Sequence, residues 1–307
     1  MISPNAPFPA GLYPAAFRYL ATEVLKSSPV HIGEWQSKDV SHSKVHATYE
    51  LTDVTIRMRI PDTADNLAAA MHPHVNQAWV EEHFAERVGG VPVNPPPSHE
   101  RWPWSRHNGN HQGDRGGFSH TYPERMWPKH AGDCHASYAW GFTGQPEAMD
   151  MHGQLDDGRQ GCNGRKGIRF AYGDLSDVVN LLVKNPLTRQ AYLPIWFPED
   201  TGAVHGERVP CTLGYHFMIR NGALSCRYYM RSCDLIRHFA DDVYLAARLT
   251  QWVRDEWQQR TTFAAMDANP HIRDWAAPPM ATGELVMHIT SLHAFVGDAY
   301  RLKELAE

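Results

Sequence analysis

The sequence predicts a mixed α+β protein. Stretches with helical periodicity alternate with strand-like stretches along the 307 residues, and Gly or Pro residues separate many of them. Hydrophobic residues make up 42% of the chain and charged residues 21%, which is enough apolar side chain for a sizeable core. Because we find neither an internal repeat nor a convincing linker, residues 1–307 are predicted to form a single domain.

Two helices and one strand are predicted in the first third of the chain. Residues 14–25 read as a helix, and residues 54–60 alternate between apolar and polar side chains, as a half-buried strand does. Residues 77–88 form the second helix, which the following two glycines end. Residues 90–167 are rich in Gly, Pro, His and Trp and show weak periodicity. We predict a loop-rich insertion there, and loops of this length usually carry function.

The second half is predicted to hold two helices and several strands. Asp174 can cap a helix. Asn221 and Gly222 suit a type I′ turn, because both residues tolerate a positive φ, and they predict a hairpin. In chain order, the helix, a strand, the two hairpin strands, a long buried helix and the last strand are assigned to residues 174–182, 192–196, 216–219, 224–230, 234–257 and 285–289.

Composition excludes several classes of protein. A net charge of −5 gives no general positive field to attract a nucleic acid backbone. No apolar run approaches the roughly 20 residues of a membrane span, and the first residues lack the features of a signal peptide. The chain has 5 cysteines, an odd number, which favours reduced thiols and therefore a cytoplasmic protein.

Cys211 is the first candidate for chemistry. The C5 atom of a pyrimidine is a poor nucleophile, but addition of a thiolate to C6 enables C5 to attack an electrophilic one-carbon unit. The sulfur must be deprotonated, and a nearby cation lowers its pKa; Arg208, Arg220 and Arg231 are close in sequence. The alternative is structural, because an isolated cysteine is more often a small buried hydrophobic residue.

Two polar pairs follow Cys211. Arg231 and Ser232 combine a guanidinium fork with a hydroxyl, which suits a phosphate clamp, although such pairs are also common on surfaces. Asp241 and Asp242 lie within an otherwise apolar helical pattern. A carboxyl accepts a hydrogen bond from an exocyclic amine and, when protonated, donates one to a ring nitrogen, so it can read a base. The alternative for this acidic pair is a helix cap or a salt bridge.

Four motifs resemble the thymidylate synthase family in order and spacing. They are Cys211 with its preceding proline, the hairpin turn at residues 221–222, residues 231–234 and residues 283–295. The resemblance implies a large mixed β-sheet packed with helices and a homodimer in which the two sheets face each other. It also implies a pyrimidine nucleotide as substrate and 5,10-methylenetetrahydrofolate as the one-carbon donor.

The resemblance also implies which base is bound. In this family, the residue that reads the base lies eight positions beyond the acid of the Arg-Ser-x-Asp motif, which is Asp242 in this chain. Uracil-specific members have Asn at that position, whereas Asp is typical of the cytidylate 5-hydroxymethylase branch. A cytidine monophosphate is therefore expected, with Asp242 paired to N3 and to the 4-amino group.

Further residues match family positions one by one. Cys211 matches the nucleophile, and Arg231 and Ser232 match phosphate ligands. Arg189 matches an arginine that reaches the phosphate in the partner subunit, although Gln190 stands where the family has a second arginine.

Three acidic or phenolic residues match the machinery around the base and the folate. Asp234 resembles an acid near the pterin, and Tyr122 resembles a tyrosine that helps to remove the C5 proton. Glu81 best fits the catalytic glutamate of a Glu-x-x-aromatic helix and is expected to relay protons, with Glu82 as the alternative. A solvated acidic helix face is the other reading of both glutamates.

Departures from the synthase pattern point to hydroxymethylation. Thr212 replaces a histidine, and Phe295 replaces a tyrosine that binds the sugar, while His293 is kept. The sequence ends twelve residues after Phe295, whereas synthases continue with a tail that closes over folate and excludes water. We therefore expect hydration rather than reduction of the transferred carbon. Phe295 and the His/Trp-rich insertion resemble the CMP-specific enzymes of mildiomycin (antibiotic) biosynthesis more than the phage dCMP enzymes.

Four alternatives remain from the sequence. Within the family they are a dCMP hydroxymethylase and a pyrimidine nucleotide methylase. Outside its chemistry, a zinc hydrolase would use the His- and Cys-rich loop region, and a non-enzymatic protein of the same fold would only sense pyrimidine nucleotides. Glu is missing between the closely spaced histidines, and Gly109 disfavours a helix there, so we expect no metal. The candidate zinc ligands are His107, His111, His120, Cys134, His135 and Cys162.

Overall fold

The structure is a computed structural model that describes residues 13–35, 38–103, 118, 120–129, 172–203, 209–268 and 279–307. The chain divides into two compact units. The first unit comprises residues 1–76, 179–192 and 211–307, and the second comprises residues 77–178 and 193–210. No helix within the described ranges is long and apolar enough to cross a membrane.

A five-stranded mixed sheet organises the fold, with strand order β3-β7-β6-β5-β4. β3 pairs with β7 and β5 with β6 in antiparallel fashion, whereas β6 and β7 run parallel. The predicted mixed α+β fold is therefore confirmed. The strands are β1 (Glu34–Trp35), β2 (Lys38–Asp39), β3 (Thr48–Arg59), β4 (Tyr192–Pro194), β5 (Thr212–Arg220), β6 (Ala223–Asp234) and β7 (Ala281–Phe295), with β1 and β2 forming a separate small hairpin.

The helices found in the described residues agree with most of the predicted ones. They are α1 (Tyr13–Lys26), α2 (Ala64–Met71), α3 (Gln77–Val88), α4 (Tyr122–Met126), α5 (Leu175–Lys184), α6 (Phe239–Ala268) and α7 (Ala299–Ala306). The predicted cap of α5 is confirmed, because the Asp177 amide donates to the Asp174 carboxylate at 3.0 Å. The predicted start of the long helix at Asp234 is wrong, since that residue still belongs to β6.

The predicted hairpin turn between β5 and β6 is confirmed. Asn221 and Gly222 have φ values of 53° and 72°, the left-handed conformations that a type I′ turn requires. β6 is longer than predicted because it pairs with β7 along its length, from Ala223 to Asp234. That pairing places Ser232, Cys233 and Asp234 beside residues 291–293 of β7.

The core of the first unit lies on one face of this sheet. Along β6, Leu224, Cys226, Tyr228 and Met230 are buried, and the side chains between them are half-buried. Helix α6 packs against β6 and β7 and contributes buried residues such as Val243. This alternation is what a sheet with one covered face requires.

The second unit contains α3 and α4, which pack against each other. Thr121 and Glu124 form a capping box at the start of α4. Arg125 donates to the Asp200 carboxylate at 2.8 Å in an ion pair that is almost fully buried, and its guanidinium lies over the ring of Phe197. The unit is therefore held by buried polar contacts as well as by apolar packing.

Candidate active site

Cys211, Arg231 and Ser232 lie together at the far end of the β5–β6 hairpin from its turn. The Arg231 amide donates to the Cys211 carbonyl at 2.9 Å, which continues the pairing of the two strands. The Arg231 guanidinium (Nη2) is 3.8 Å from the Cys211 sulfur, and the Ser232 hydroxyl is 3.5 Å from it. A thiolate at this position has a cation and a hydroxyl donor next to it, and both stabilise its charge.

Only one of the three arginines near Cys211 in sequence is shown to contact its sulfur. Arg231 makes the contact, whereas the guanidinium of Arg220 donates to the Ile219 carbonyl at the hairpin turn. Arg208 lies outside the described residues. Arg231 is exposed and Cys211 is half-buried, so a guanidinium held at the sulfur also remains accessible to a ligand.

Asp242 is a half-buried residue in the first turn of α6. Its Oδ2 accepts from the Cys233 thiol at 3.6 Å, and its Oδ1 accepts from the Tyr228 hydroxyl at 3.4 Å. Burial raises the pKa of Cys233 well above its usual value, and the charges of Asp242 and Asp234 raise it further. Cys233 is therefore a neutral thiol that donates a hydrogen bond, and each carboxyl oxygen of Asp242 accepts one.

Asp234, at the end of β6, is 4% exposed. Its Oδ1 accepts from the amides of Ile236 and Arg237, each at 3.0 Å. Burial raises the pKa of Asp234, although the nearby His293 and Arg237 oppose this change. His293 is its register partner on β7. The structure thus brings these two predicted site residues side by side.

Phe295, predicted to contact substrate, is only 3% exposed. The Arg237 guanidinium lies 4.7 Å from the centre of its ring, and Trp35 and His293 make edge contacts with it at 5.4 and 5.8 Å. Arg237 also pairs with Asp298 at 2.7 Å. Phe295 is thus packed beneath polar groups, and its predicted role toward the sugar remains a prediction.

Arg189 follows α5 in the first unit and is exposed. Its carbonyl is 3.1 Å from the Nε2 atom of His216. The contact holds the backbone of this segment on β5. The predicted role of the Arg189 side chain in a partner subunit remains a prediction.

Glu81 and Tyr122 lie in the second unit, on α3 and at the start of α4. Glu81 is half-buried, whereas the alternative residue, Glu82, pairs with the guanidinium of Arg101. The Arg87 guanidinium lies 4.0 Å from the centre of the Tyr122 ring. The catalytic roles of Glu81 and Tyr122 remain predictions.

Three residues near the candidate site were missed in the sequence. Tyr228 occupies a buried position of an alternating strand, so its pattern indicated only core. Arg237 was hidden within the residues wrongly assigned to the helix. Trp35, in the short strand β1, had no regular pattern around it. Of the three, only Tyr228 carries a sequence signal of a polar contact, because the hydroxyl of a buried tyrosine needs a hydrogen-bond partner.

The predicted zinc-ligand region falls mostly outside the described residues, which include only His120 of the six candidates. Among the residues that the structure describes, no group of three or more His, Cys, Asp or Glu side chains could hold a metal ion.

Comparison with known proteins shows a family to which part of this chain is similar. Residues 126–272, just under half of the chain, match the sequence model of the family described as thymidylate synthase. The chain is 33% identical over 86 residues to a protein named thymidylate synthase from Sphingopyxis alaskensis, covering 28% of this chain and 27% of that protein. A thymidylate synthase from Rhodopseudomonas palustris is 32% identical over 77 residues, or 25% and 24% of the two chains.

The matched segment contains Arg189, Cys211, Arg231, Ser232, Asp234 and Asp242. Over this segment the chain is similar to the predicted thymidylate synthase family, while the hydroxymethylase branch remains a prediction. The chain spans about a quarter of the length of these curated relatives.

Proposed function

We propose that the protein transfers a one-carbon unit from 5,10-methylenetetrahydrofolate to C5 of a cytidine monophosphate and hydrates it, which gives 5-hydroxymethyl-CMP. The observation that carries this proposal is the grouping of Cys211, Arg231 and Ser232, with Asp242 held nearby on α6. The sequence match to the thymidylate synthase family supports a folate-dependent transferase. The proposal further specifies that the substrate is CMP rather than dCMP and that the transferred carbon is hydrated rather than reduced.

Cys211 is the nucleophile in this proposal. Its thiolate, stabilised by Arg231 and Ser232, adds to C6 of the pyrimidine and so makes C5 nucleophilic. Arg231 also offers donors for the phosphate of the nucleotide, because its guanidinium carries five N–H groups, whereas the single O–H of Ser232 donates either to the sulfur or to the phosphate. A base then removes the C5 proton; Tyr122 and Glu81 are the proposed residues for this step.

Asp242 is proposed to read the base. A carboxyl has about four lone-pair sites, so the bonds from Cys233 and Tyr228 leave acceptor capacity on each oxygen. One oxygen accepts from the 4-amino group of cytosine, and a protonated oxygen donates to N3. Uracil offers a donor at N3 and an acceptor at C4, which reverses this pattern.

The side chains near Asp234 suit the binding of a folate. A buried carboxylate at the end of β6 matches the N–H groups of a pterin, and His293, Arg237 and Trp35 supply polar and aromatic surfaces around it. When bound, 5,10-methylenetetrahydrofolate supplies one carbon at the oxidation level of formaldehyde. The bond between that carbon and the folate would break before water adds to the carbon on the nucleotide, the Cys211 thiolate would then leave C6, and the tetrahydrofolate would stay unoxidised.

Two features support hydroxymethylation of a ribonucleotide. Thr212, which follows the nucleophile and stands where synthases have a histidine, is fully buried and hydrogen-bonded to Tyr228 at 2.8 Å. Phe295 has no hydroxyl to offer the sugar, which leaves room for a rebuilt contact to a 2′-hydroxyl. Phe295 and the His/Trp-rich insertion resemble the CMP hydroxymethylase of mildiomycin biosynthesis.

The active form is proposed to be a homodimer whose partner subunit donates Arg189. The face of the sheet opposite the core carries a half-buried polar and aromatic layer. Tyr229 stacks on His288 at 5.1 Å, and Arg57 pairs with Glu284 at 2.6 Å. Such a layer suits burial against an identical face, because the charges of Arg57 and Glu284 are already paired within the subunit.

Release of tritium from CMP labelled at C5 tests the covalent step. The wild-type protein with methylenetetrahydrofolate should release tritium, and Cys211→Ala should lose at least 1,000-fold in rate, on the order of other nucleophile deletions, while still binding CMP. Cys226→Ala is the matched control, because this buried thiol lies in the same hairpin away from Cys211. CMP binding without tritium release by the wild type would favour a nucleotide sensor.

The folate product separates the second candidate from the first. The relatives are named thymidylate synthases, which favours a methylase that oxidises the tetrahydrofolate to dihydrofolate. Formation of tetrahydrofolate with a 5-hydroxymethyl nucleotide supports our proposal, whereas dihydrofolate with a 5-methyl nucleotide refutes it. Comparing kcat/KM for CMP and dCMP tests the sugar, and a clear preference for dCMP would reject the ribonucleotide assignment. Stoichiometric zinc, with activity lost on chelation, would instead identify a metal-dependent hydrolase.

A further inference from the structure

The hydroxyl of Tyr228 connects Asp242 to the residue that follows the proposed nucleophile. Tyr228 OH lies 3.4 Å from Asp242 Oδ1 and 2.8 Å from Thr212 Oγ1. Tyr228 and Thr212 are both 0% exposed. Bulk water therefore does not reach these hydroxyls, and their protons go to protein groups.

The direction of these hydrogen bonds follows from counting protons. A tyrosine hydroxyl has one proton to donate. When Tyr228 donates to the Asp242 carboxylate, its oxygen remains an acceptor, and Thr212 must supply the proton between them. The chain therefore runs from Thr212 to Tyr228 to Asp242.

The Cys233 thiol holds the other oxygen of the same carboxyl, at 3.6 Å from Oδ2. With a donor on each oxygen, rotation of the carboxyl plane breaks one bond or the other. A carboxyl that makes two hydrogen bonds to a base must lie in a fixed plane, because each hydrogen bond weakens steeply as its angle departs from linearity.

We propose that Tyr228 and Thr212 are positioning residues that fix the plane of Asp242 and thereby set the preference for cytosine over uracil. The inference rests on the proposed function, since it assumes that Asp242 faces the base. Neither residue needs to touch the nucleotide for this role. Their effect is expected on the difference between two nucleotides rather than on binding in general.

Calorimetric Kd values for CMP and UMP test this role in the full-length protein. Tyr228→Phe keeps the ring and removes the hydroxyl, so CMP binding should weaken about tenfold while UMP binding changes little, a change of about 1.4 kcal/mol in discrimination. Tyr215→Phe is the matched control, because Tyr215 is the buried partner stacked on Tyr228 at 4.5 Å. It should leave the ratio of the two Kd values unchanged.

Thr212 variants test the relay itself. Thr212→Val should lower the CMP preference, as Tyr228→Phe does. Thr212→Ser, which retains the hydroxyl, should keep the preference of the wild type. In the double variant with Tyr228→Phe, Thr212→Val should have no further effect on the preference, because the connection it acts through is already gone. Additive effects of the two substitutions would overturn the relay.

The outcomes separate this inference from the function on which it rests. A wild-type protein that binds neither nucleotide would refute both. A wild-type preference for CMP that survives in Tyr228→Phe would refute the positioning role and leave the function standing. Equal weakening of CMP and UMP binding would show that Tyr228 only supports the fold, and would also refute the positioning role.

Discussion

Asp242 illustrates how one side chain depends on its neighbours. A carboxylate in the first turn of a helix is stabilised by the helix dipole, but it becomes selective only when its orientation is fixed. Cys233 and Tyr228 approach its two oxygens separately. Because burial keeps Cys233 protonated, the thiol serves as a donor rather than as a second nucleophile beside Cys211.

Replacement of Asp242 by asparagine should change base preference. The amide introduced by this substitution would present a donor to O4 and an acceptor to N3–H of uracil. We expect Asp242→Asn to reduce CMP discrimination against UMP by tenfold or more, or about 1.4 kcal/mol. Binding of both nucleotides by calorimetry checks this. An unchanged CMP preference would show that another residue reads the base.

At the scale of elements, α3 is attached to the turn at residues 97–101 by a buried polar cluster. The Ser98 amide and hydroxyl both donate to the Glu86 carboxylate, at 2.7 and 2.6 Å. The Nδ1 atom of His83 lies 2.9 Å from the Ser98 hydroxyl, and the His83 ring stacks on Trp79 at 5.2 Å. This cluster fixes the helix that carries Glu81.

The cluster should make stability depend on pH. Burial, assisted by the charge of Arg87, lowers the pKa of His83 from 6.5 to about 4. The unfolded chain therefore binds a proton more readily, so stability is full above about pH 6.5 and falls as the pH drops toward 4, by about 3 kcal/mol at most. The stability of the His83→Gln variant, measured by thermal unfolding, should fall less steeply over this pH window. Equal slopes for both proteins would contradict the assignment.

The turn between β5 and β6 gives a second prediction for an element. Gly222 has a φ of +72°, and a Cβ added there would meet no atom within 4 Å. Gly222→Ala should therefore lose about 1–2 kcal/mol through backbone conformation alone. Gly33 also has open space but no positive φ, so Gly33→Ala is the matched control and should be near neutral. Urea unfolding of both variants measures the difference.

At the scale of the whole molecule, the proposed dimer allows subunits to complement each other. Arg189→Ala and Cys211→Ala should each be nearly inactive, because each breaks both sites of its homodimer. After the subunits exchange, about half of the dimers are mixed and each keeps one of its two sites intact, so about a quarter of the activity should return. Tritium release before and after exchange measures this. No recovery would show that Arg189 acts within its own subunit.

Local sequence signals were sufficient for much of the fold. The helices at residues 13–26 and 77–88 were recognised by periodicity and by their ends. The lengths of β6 and β7 were underestimated because their last residues are held by pairing between distant segments, such as Asp234 with His293. The start of α6 was misplaced for the same reason.

The sequence by itself determined the two-residue turn of the hairpin that carries Cys211, Arg231 and Ser232. A two-residue Asn-Gly turn sets the register of a hairpin, and that register, adjusted by a bulge near Thr212, brings these residues together. Only the tertiary structure decided that Asp242 is held by Tyr228 and Cys233. Those contacts depend on how α6 packs on β6, and packing is set by the shape of the whole core rather than by residues adjacent in the chain.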